Sequence, residues 1–351
     1  MKKIVVLFPP RDKRSDGYYF RVEQEIKILS RNYELEIIEL EPKADGLRKF
    51  INSLQILPVL VKAIKNSDIV LLYPSWMWYL TAPLTKVFDN KLVLDHFTTN
   101  LYNFEFSNFS GKFIVKFIDG LVYKLFDVVI THTESMKKLL AQTYKIAKDK
   151  ITVSNSCVDE RIFKQEAKNK NLLKELGLPV DKKIIIYSGL FHPFHGVDTI
   201  LDTTRSLTKR DDLFFIILGR KLNNEPKNVF SLNSVPYGQF PKYLSVGDLW
   251  VGTVGSGIQG ERALSSNMIS AMAMGLVVIV GDWDENKVII HDGLNGFLVK
   301  RNDATVLSSK IVSVLKNRNL KKIKQNARKT AIENFSIKVM EQKFTTLFNK
   351  L

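Results

Sequence analysis

Short apolar, β-branched runs alternate with stretches of helical period along nearly all of this 351-residue chain, and they do so in two series. The first opens with KIVVLF, continues with Val22, Ile26, Leu29 and Tyr33 at steps of four, three and four, and reaches ELEIIEL. Leu47, Phe50, Leu54, Leu57, Val61 and Ile64 then fall on one helical face, followed by DIVLLY, KLVLDHF, a long apolar helix, DVVITHT, another helix and KITVSN. Unbroken apolar strands separated by helical crossovers specify a parallel sheet covered on both faces.

The rhythm pauses between Asp159 and Lys183, where Lys164, Gln165, Lys168, Asn169, Lys170, Asn171 and the Gly177-Leu178-Pro179 turn interrupt it. A second series follows: KIIIYS, a helix from Val197, LFFIILG, a helix around Phe240 to Val246, DLWVGT, a helix from Asn267 to Met274, and LVVIVG. The expected fold is α/β, two doubly wound Rossmann-like domains over 1–165 and 166–335, facing each other across a cleft. Ligands are expected at the carboxyl ends of the strands.

Composition narrows the class further. Hydrophobic residues make up 45% of the chain and no Pro-, Ser- or Gly-rich tract interrupts it, which fits a folded globular protein. The single cysteine, Cys157, leaves no internal disulfide and too few thiolates for a structural zinc site. Met1-Lys2-Lys3 runs straight into a five-residue apolar stretch, too short for a signal peptide, and Ile69 to Thr85 falls short of a membrane span. A cytoplasmic protein is the expectation. The formal charge of +16 is concentrated at the end, with 13 Lys and Arg from Lys300 onward against Asp303, Glu333 and Glu341. A basic field of this kind serves nucleic acid, anionic lipid or a phosphorylated substrate, or is simply a solvated face. Nucleic acid needs aromatic residues between the charges, and only Phe335, Phe344 and Phe348 offer them there.

The segment SGLFHPFHGVDTIL forms the first strand-to-helix turn of the second series. Gly189 ends the strand and Gly196 opens the helix, so the backbone can approach a ligand whose negative charge the free N–H groups favour. Three readings stay open: contact with a phosphate or sugar, histidines that only pack the turn, and a metal held by His192 and His195. The last lacks further ligands nearby in sequence.

SGLFHPFHGVDTIL, SVPYGQFPKYLSVGDLWV, NMISAMAMGLVVIVGD and IIHDGLNGFLV resemble, in order and spacing, the motifs of retaining glycosyltransferases of family 4, the glycosyl transferases group 1. DVVITHTESMKKLL and ITVSNSCVDERIF are similar to segments of that family's first domain. The resemblance implies a two-Rossmann, GT-B enzyme. The C-terminal domain would bind a nucleoside-diphosphate sugar and the N-terminal domain, completed by a closing helix over 336–351, would present the acceptor. It also implies transfer with retention, no metal or other cofactor, and electrostatic support of the departing diphosphate.

Position by position, the resemblance places Gly189 and Gly196 in the phosphate turn and His195 where many members carry a lysine. It puts His96 beside the donor sugar, Tyr237 in the segment bordering the base, and Gly17 and Arg21 on the acceptor side. Asn267, Met268, Ile269 and Ser270 fall in the donor-binding helix. The paired-glutamate motif is missing: Ser270 stands at the second glutamate and Arg262 at the first, with Glu261 one place away as the candidate catalytic carboxylate. Leu190 replaces a common diphosphate-binding arginine, and Val277 a proline. Arg220 and Lys221, just past a strand end, are candidates to compensate. His132 reads as a residue satisfying backbone at a strand end, and Asp282 and Asp284 as an imitation of a metal-binding pair.

SNFSGKFIVKFIDGLVYKLF is apolar nearly all round as a helix. Burial is one account. The other, with Lys112, Lys116, Lys124 and the neighbouring YPSWMWYL, is a surface leaning into an anionic bilayer at the inner face of the cell membrane, where a lipid-linked acceptor would wait. Against the transferase stand a scaffold protein with a lapsed donor site, suggested by Leu190 and Ser270, and a sugar-nucleotide epimerase of the same layout.

Overall fold

The computed structural model describes residues 1–8, 16–39, 55–75, 77–96 and 112–351. The helical face through Leu47, Phe50 and Leu54, Trp76, and the residues 107–111 that lead into the apolar helix lie outside that set. The chain divides into two compact units, Met1–Asn155 with Met340–Leu351, and Ser156–Val339. The division falls ten residues before the expected boundary at 165. The reason is packing: Val158 donates its N–H to Phe335 O (2.8 Å) and bridges to Ser336, while Phe163 is fully buried in the core of the second unit. The polar run beyond Lys164 marks a solvated surface of that unit.

In the first unit, β1 (Lys3–Phe8), β2 (Glu34–Glu39), β3 (Ile69–Leu72), β4 (Lys91–Asp95), β5 (Val128–Thr131) and β6 (Ile151–Val153) form one parallel sheet in the order β2-β1-β3-β4-β5-β6. Helices α1 (Asp16–Leu29), α2 (Leu57–Lys65), α3 (Trp78–Val87), α4 (Lys112–Tyr123) and α5 (Glu134–Tyr144) connect the strands. The interior strands β3 and β5 are buried throughout, whereas β2, at the edge, alternates between exposed and half-buried positions. This is the difference expected between a strand covered on both faces and one covered on one side.

The second unit holds α6 (Lys170–Glu175), β7 (Lys183–Ser188), α7 (Val197–Ser206), β8 (Leu213–Gly219), β9 (Val229–Asn233), α8 (Phe240–Leu244), β10 (Leu249–Gly252), α9 (Ser266–Ala273), β11 (Val277–Gly281), α10 (Asp284–Ile289), β12 (Phe297–Val299), α11 (Ala304–Leu315) and α12 (Leu320–Phe335). Its parallel sheet runs β12-β11-β10-β7-β8-β9, with one buried apolar cluster on each face. The last helix, α13 (Ile337–Phe348), belongs to the first unit from Met340 onward. Phe335, Phe344 and Phe348 are buried, which removes the stacking surface a nucleic acid would need.

Aspartates at strand starts fasten both sheets. Asp68 accepts from Lys3 N (2.7 Å), Asp127 from Leu92 N (2.7 Å) and Asp248 from Ile184 N (2.9 Å). Each thereby satisfies a strand-end donor of a neighbouring strand, a charge-assisted bond worth about 1.5–3 kcal/mol where it is shielded from water. Helix starts are fixed in the same way: Thr133 accepts from Met136 N, Ser265 from Met268 N and Asp303 from Val306 N.

Helix α4 departs from core packing. Asp119, Val122 and Tyr123 are buried, but Phe113, Ile114, Phe117, Ile118 and Leu121 are 41–74% exposed. Asp119 turns inward and accepts from the hydroxyls of Tyr79 (2.6 Å) and Tyr144 (3.2 Å). Among the described residues no helix is long and apolar enough to cross a membrane.

Candidate functional site

The strand order of the second unit locates its binding crevice. From β7 the chain winds outward through β8 and β9, then crosses back to β10 and winds the other way through β11 and β12. The loops after β7 and β10 therefore depart in opposite directions, and a ligand fits between them at the strand ends. Both loops are glycine-rich, and the structure shows what those glycines do.

Gly196 has φ +73°, and a Cβ there would lie 2.4 Å from Gly255 N and 2.7 Å from the Val254 carbonyl carbon. At Gly189, φ +155°, a Cβ would lie 2.5 Å from His195 Nδ1. Only glycine fits either place. Main chain joins the turn to the loop after β10: Val254 N donates to His195 O (3.3 Å), Gly255 N to Phe194 O (3.2 Å) and Ser256 N to Pro193 O (3.2 Å). Gly196 is the N-cap of α7 and no side chain caps that helix, which leaves the amides of its first turn without an intrahelical partner.

Side chains beneath this turn anchor it. Ser188, the last residue of β7, accepts at Oγ from Trp250 Nε1 (2.8 Å) and at its carbonyl from Asn267 Nδ2 (3.0 Å). Asn267 thus ties the first turn of α9 to the end of β7. The Tyr187 hydroxyl donates to Leu190 O (3.0 Å) and stands 3.3 Å from His195 Nδ1. Tyr187 and Trp250 read in sequence as core residues of strands, so nothing there marked them as supports of the turn.

His195 is largely enclosed, and burial, reinforced by His192, lowers its pKa to about 4. It is neutral near pH 7, so it does not supply the positive charge that a lysine would bring at this position. His192 is exposed and stacks on Phe194, with its ring centroid 6.0 Å from that of His195. Asp282 is paired with Arg301 (3.1 Å) and Asp284 with Lys287 (3.1 Å), so each carboxylate already has its own cation.

The remaining donor-side residues divide sharply. Arg220 is exposed, with its guanidinium 5.8 Å from the Phe191 ring centroid, and so lies over the turn itself. Lys221 is engaged elsewhere: its ammonium pairs with Glu225 (2.7 Å) and its N–H with Asn233 (3.0 Å). Arg262 is half-buried on the loop after β10, with Glu261 exposed beside it. Ser270 is buried in α9. Met268 and Ile269 correct the expectation of donor contact, because their side chains enter the core while Ser265 accepts both of their amides. The Tyr237 ring is half-buried and packs on Phe163, at 5.2 Å between centroids.

In the first unit the strand ends are closed by side chains. Arg21 is 2% exposed and donates to Glu25 (2.6 Å), Asp95 (2.7 Å) and Ser154 O (2.7 Å). Burial opposes its charge, but Asp95 and Glu25 more than offset this, and its pKa is raised. Glu25 is raised well above the usual carboxylate range by burial and by Asp95, and it accepts from the Tyr73 hydroxyl. Arg21 is therefore enclosed with the buried carboxylates it neutralises. His96 is 1% exposed, stacked on Trp78 (5.6 Å, 10°) and edge-on to Tyr123 (5.7 Å). Among the described residues neither of its ring nitrogens has a hydrogen-bond partner, and burial together with His132 lowers its pKa to about 3. Gly17 lies in the first turn of α1, and the residues 9–15 before it are outside the described set.

Comparison with known proteins decides the class of the second unit. Residues 168–330 match the family described as glycosyl transferases group 1. This segment is similar to the domains of that family. An uncharacterized glycosyltransferase of Methanocaldococcus jannaschii is 23% identical over 268 residues, 70% of this chain and 64% of that protein, so the chain spans just under two thirds of its relative's length. The fold of the whole chain is that of known GT-B glycosyltransferases. Sucrose-phosphate synthase from Thermosynechococcus elongatus superposes with a TM-score of 0.75 at 13% identity, covering 100% of this chain and 99% of that one. A glycosyltransferase from Rickettsia africae gives 0.73 at 18% identity, over 99% and 98%. HepE of Anabaena, in complex with UDP-glucose, gives 0.76 at 14% identity, over 100% of both chains.

Proposed function

We propose that this protein is a retaining, metal-independent hexosyltransferase that moves a sugar from a nucleoside-diphosphate donor to a glycan or lipid-linked glycan. The second unit would hold the donor and the first would serve the acceptor, on the cytoplasmic side. The observation that carries this reading is the backbone-built turn from Gly189 to Gly196 at the switch point, which opens onto the uncapped start of α7.

The chemistry asks little of side chains. The bond between the anomeric carbon and the diphosphate breaks, the acceptor hydroxyl attacks from the same face, and its proton passes to the departing phosphate oxygen. Charge accumulates on that diphosphate, and preorganised dipoles at a helix start stabilise it without reorganisation. With His195 neutral and Leu190 apolar, Arg220 over Phe191 is the side chain placed to add positive charge. A sugar nucleotide bound by HepE supports trying uridine diphosphate sugars first.

Calorimetric titration with UDP- and GDP-sugars tests the reading, followed by assignment of the anomeric configuration of the product in the presence of a chelator. One donor is expected to bind, and Arg220→Ala to weaken it roughly tenfold or more, the equivalent of losing one charge-assisted hydrogen bond. No heat with any donor would leave a scaffold protein with a lapsed site. An inverted product would refute retention.

A further inference from the structure

We infer that α4 is a membrane-docking helix whose outer face lies in the interface of an anionic bilayer. The inference rests on the surface of the first unit and does not depend on sugar transfer. Ile114, Phe117, Ile118 and Leu121 are exposed by 66%, 67%, 41% and 50%, and their spacing of three, one and three places them on one arc of the helix. Contiguous apolar surface of this kind is rare on soluble monomers and marks a contact site.

The charge around that arc selects the partner. Lys116 and Lys124 are exposed beside it, and the one carboxylate of α4, Asp119, is turned inward to Tyr79 and Tyr144. The outer face therefore carries apolar bulk and positive charge with no exposed acid. A protein groove would require a complementary apolar surface of defined shape. A bilayer with acidic headgroups requires only an apolar arc that enters the acyl boundary and cations that remain at the phosphate level. Twelve residues of helix span about 18 Å, enough to seat two turns of apolar side chains side by side. Phe117 supplies an aromatic ring near the centre of the arc.

Flotation of the full chain with vesicles of phosphatidylcholine alone, and of phosphatidylcholine with phosphatidylglycerol, tests this. The wild type is expected to float with the acidic vesicles and to remain in the dense fraction with the neutral ones. The exposed-site variant Phe117→Ser/Leu121→Ser is expected to lose roughly tenfold or more of the bound fraction. Lys116→Glu/Lys124→Glu is expected to lose binding in a manner that added salt reproduces in the wild type. Unchanged circular dichroism and melting temperature show that both variants are folded. Equal recovery from both vesicle types, or undiminished flotation of Phe117→Ser/Leu121→Ser, would overturn the proposal. So would a concentration-dependent dimer that this variant abolishes, since the arc would then be the seat of a second copy.

Discussion

The two sheets share a doubly wound plan and finish their strand ends in opposite ways. In the first unit, Arg21, Glu25, Asp95, Tyr73, His96 and Trp78 fill the space beyond the strands with buried charge and stacked rings. In the second, Gly189, Gly196 and Gly255 keep side chains away, and main chain meets main chain. The contrast shows that one fold plan leaves its strand ends to main chain in one unit and fills them with buried side chains in the other. A Cβ at Gly196 or Gly255 would press on the facing main chain and part the two loops.

Three experiments sharpen or break this contrast, and the largest effect is expected in the closed end. Arg21→Met leaves Asp95 and Glu25 buried without their counter-charge, a loss of about 3–5 kcal/mol. Amide hydrogen exchange should show it in β1 and β4, with donor titration of the second unit unaltered. If donor binding fell in step with exchange protection, the closed end would be part of the donor site. Gly196→Ala is expected to cost about 2–4 kcal/mol in the second unit, from a left-handed alanine pressed on Gly255. It should also abolish nucleotide heat, and retained binding would mean that the turn is no phosphate site.

The smallest effect is set by pH. His96 and His132 have pKa values lowered to about 3 from 6.5, His96 by burial and His132, His132 by burial and Arg21. Below 6.5 the unfolded chain takes up two protons that the folded unit refuses, so stability falls as pH drops. Glu25 acts the other way above 4.5, one group against two. The two histidines set the direction, so the first unit loses stability as pH falls from 6.5 towards 4.5, by at most about 1.36 kcal/mol per histidine and pH unit. Circular dichroism and exchange should show the first unit loosening before the second, where His195 is the buried imidazole beside the turn. Simultaneous loosening would count against a difference rooted in these two rings.

Periodicity made most of the fold legible, because interior strands of a parallel sheet are apolar without interruption. KIIIYS and DIVLLY each correspond to a buried strand, and the helices near 240 and 267 to α8 and α9. VFSLN escaped notice: β9 is an edge strand of five residues with alternating burial, and buried Ser231 breaks its apolar run. Helix α4 was ambiguous for a different reason, since a face turned to lipid and a face turned to core have the same composition. At the site, glycine positions were legible because they follow from backbone geometry. Arg21 was not, since its role depends on Asp95 and Glu25, which local pattern does not bring together. Met268 and Ile269 failed similarly, because the capping of their amides by Ser265 decides their availability.

The seam between residues 193–195 and 254–256 joins the loops after β7 and β10 through peptide groups alone. Any sequence able to follow that path keeps the seam fastened, provided its glycines remain. Side chains on either loop are then free to drift without loosening the cradle. An apolar residue at 190 and a hydroxyl at 270 therefore leave the path of the two loops unchanged.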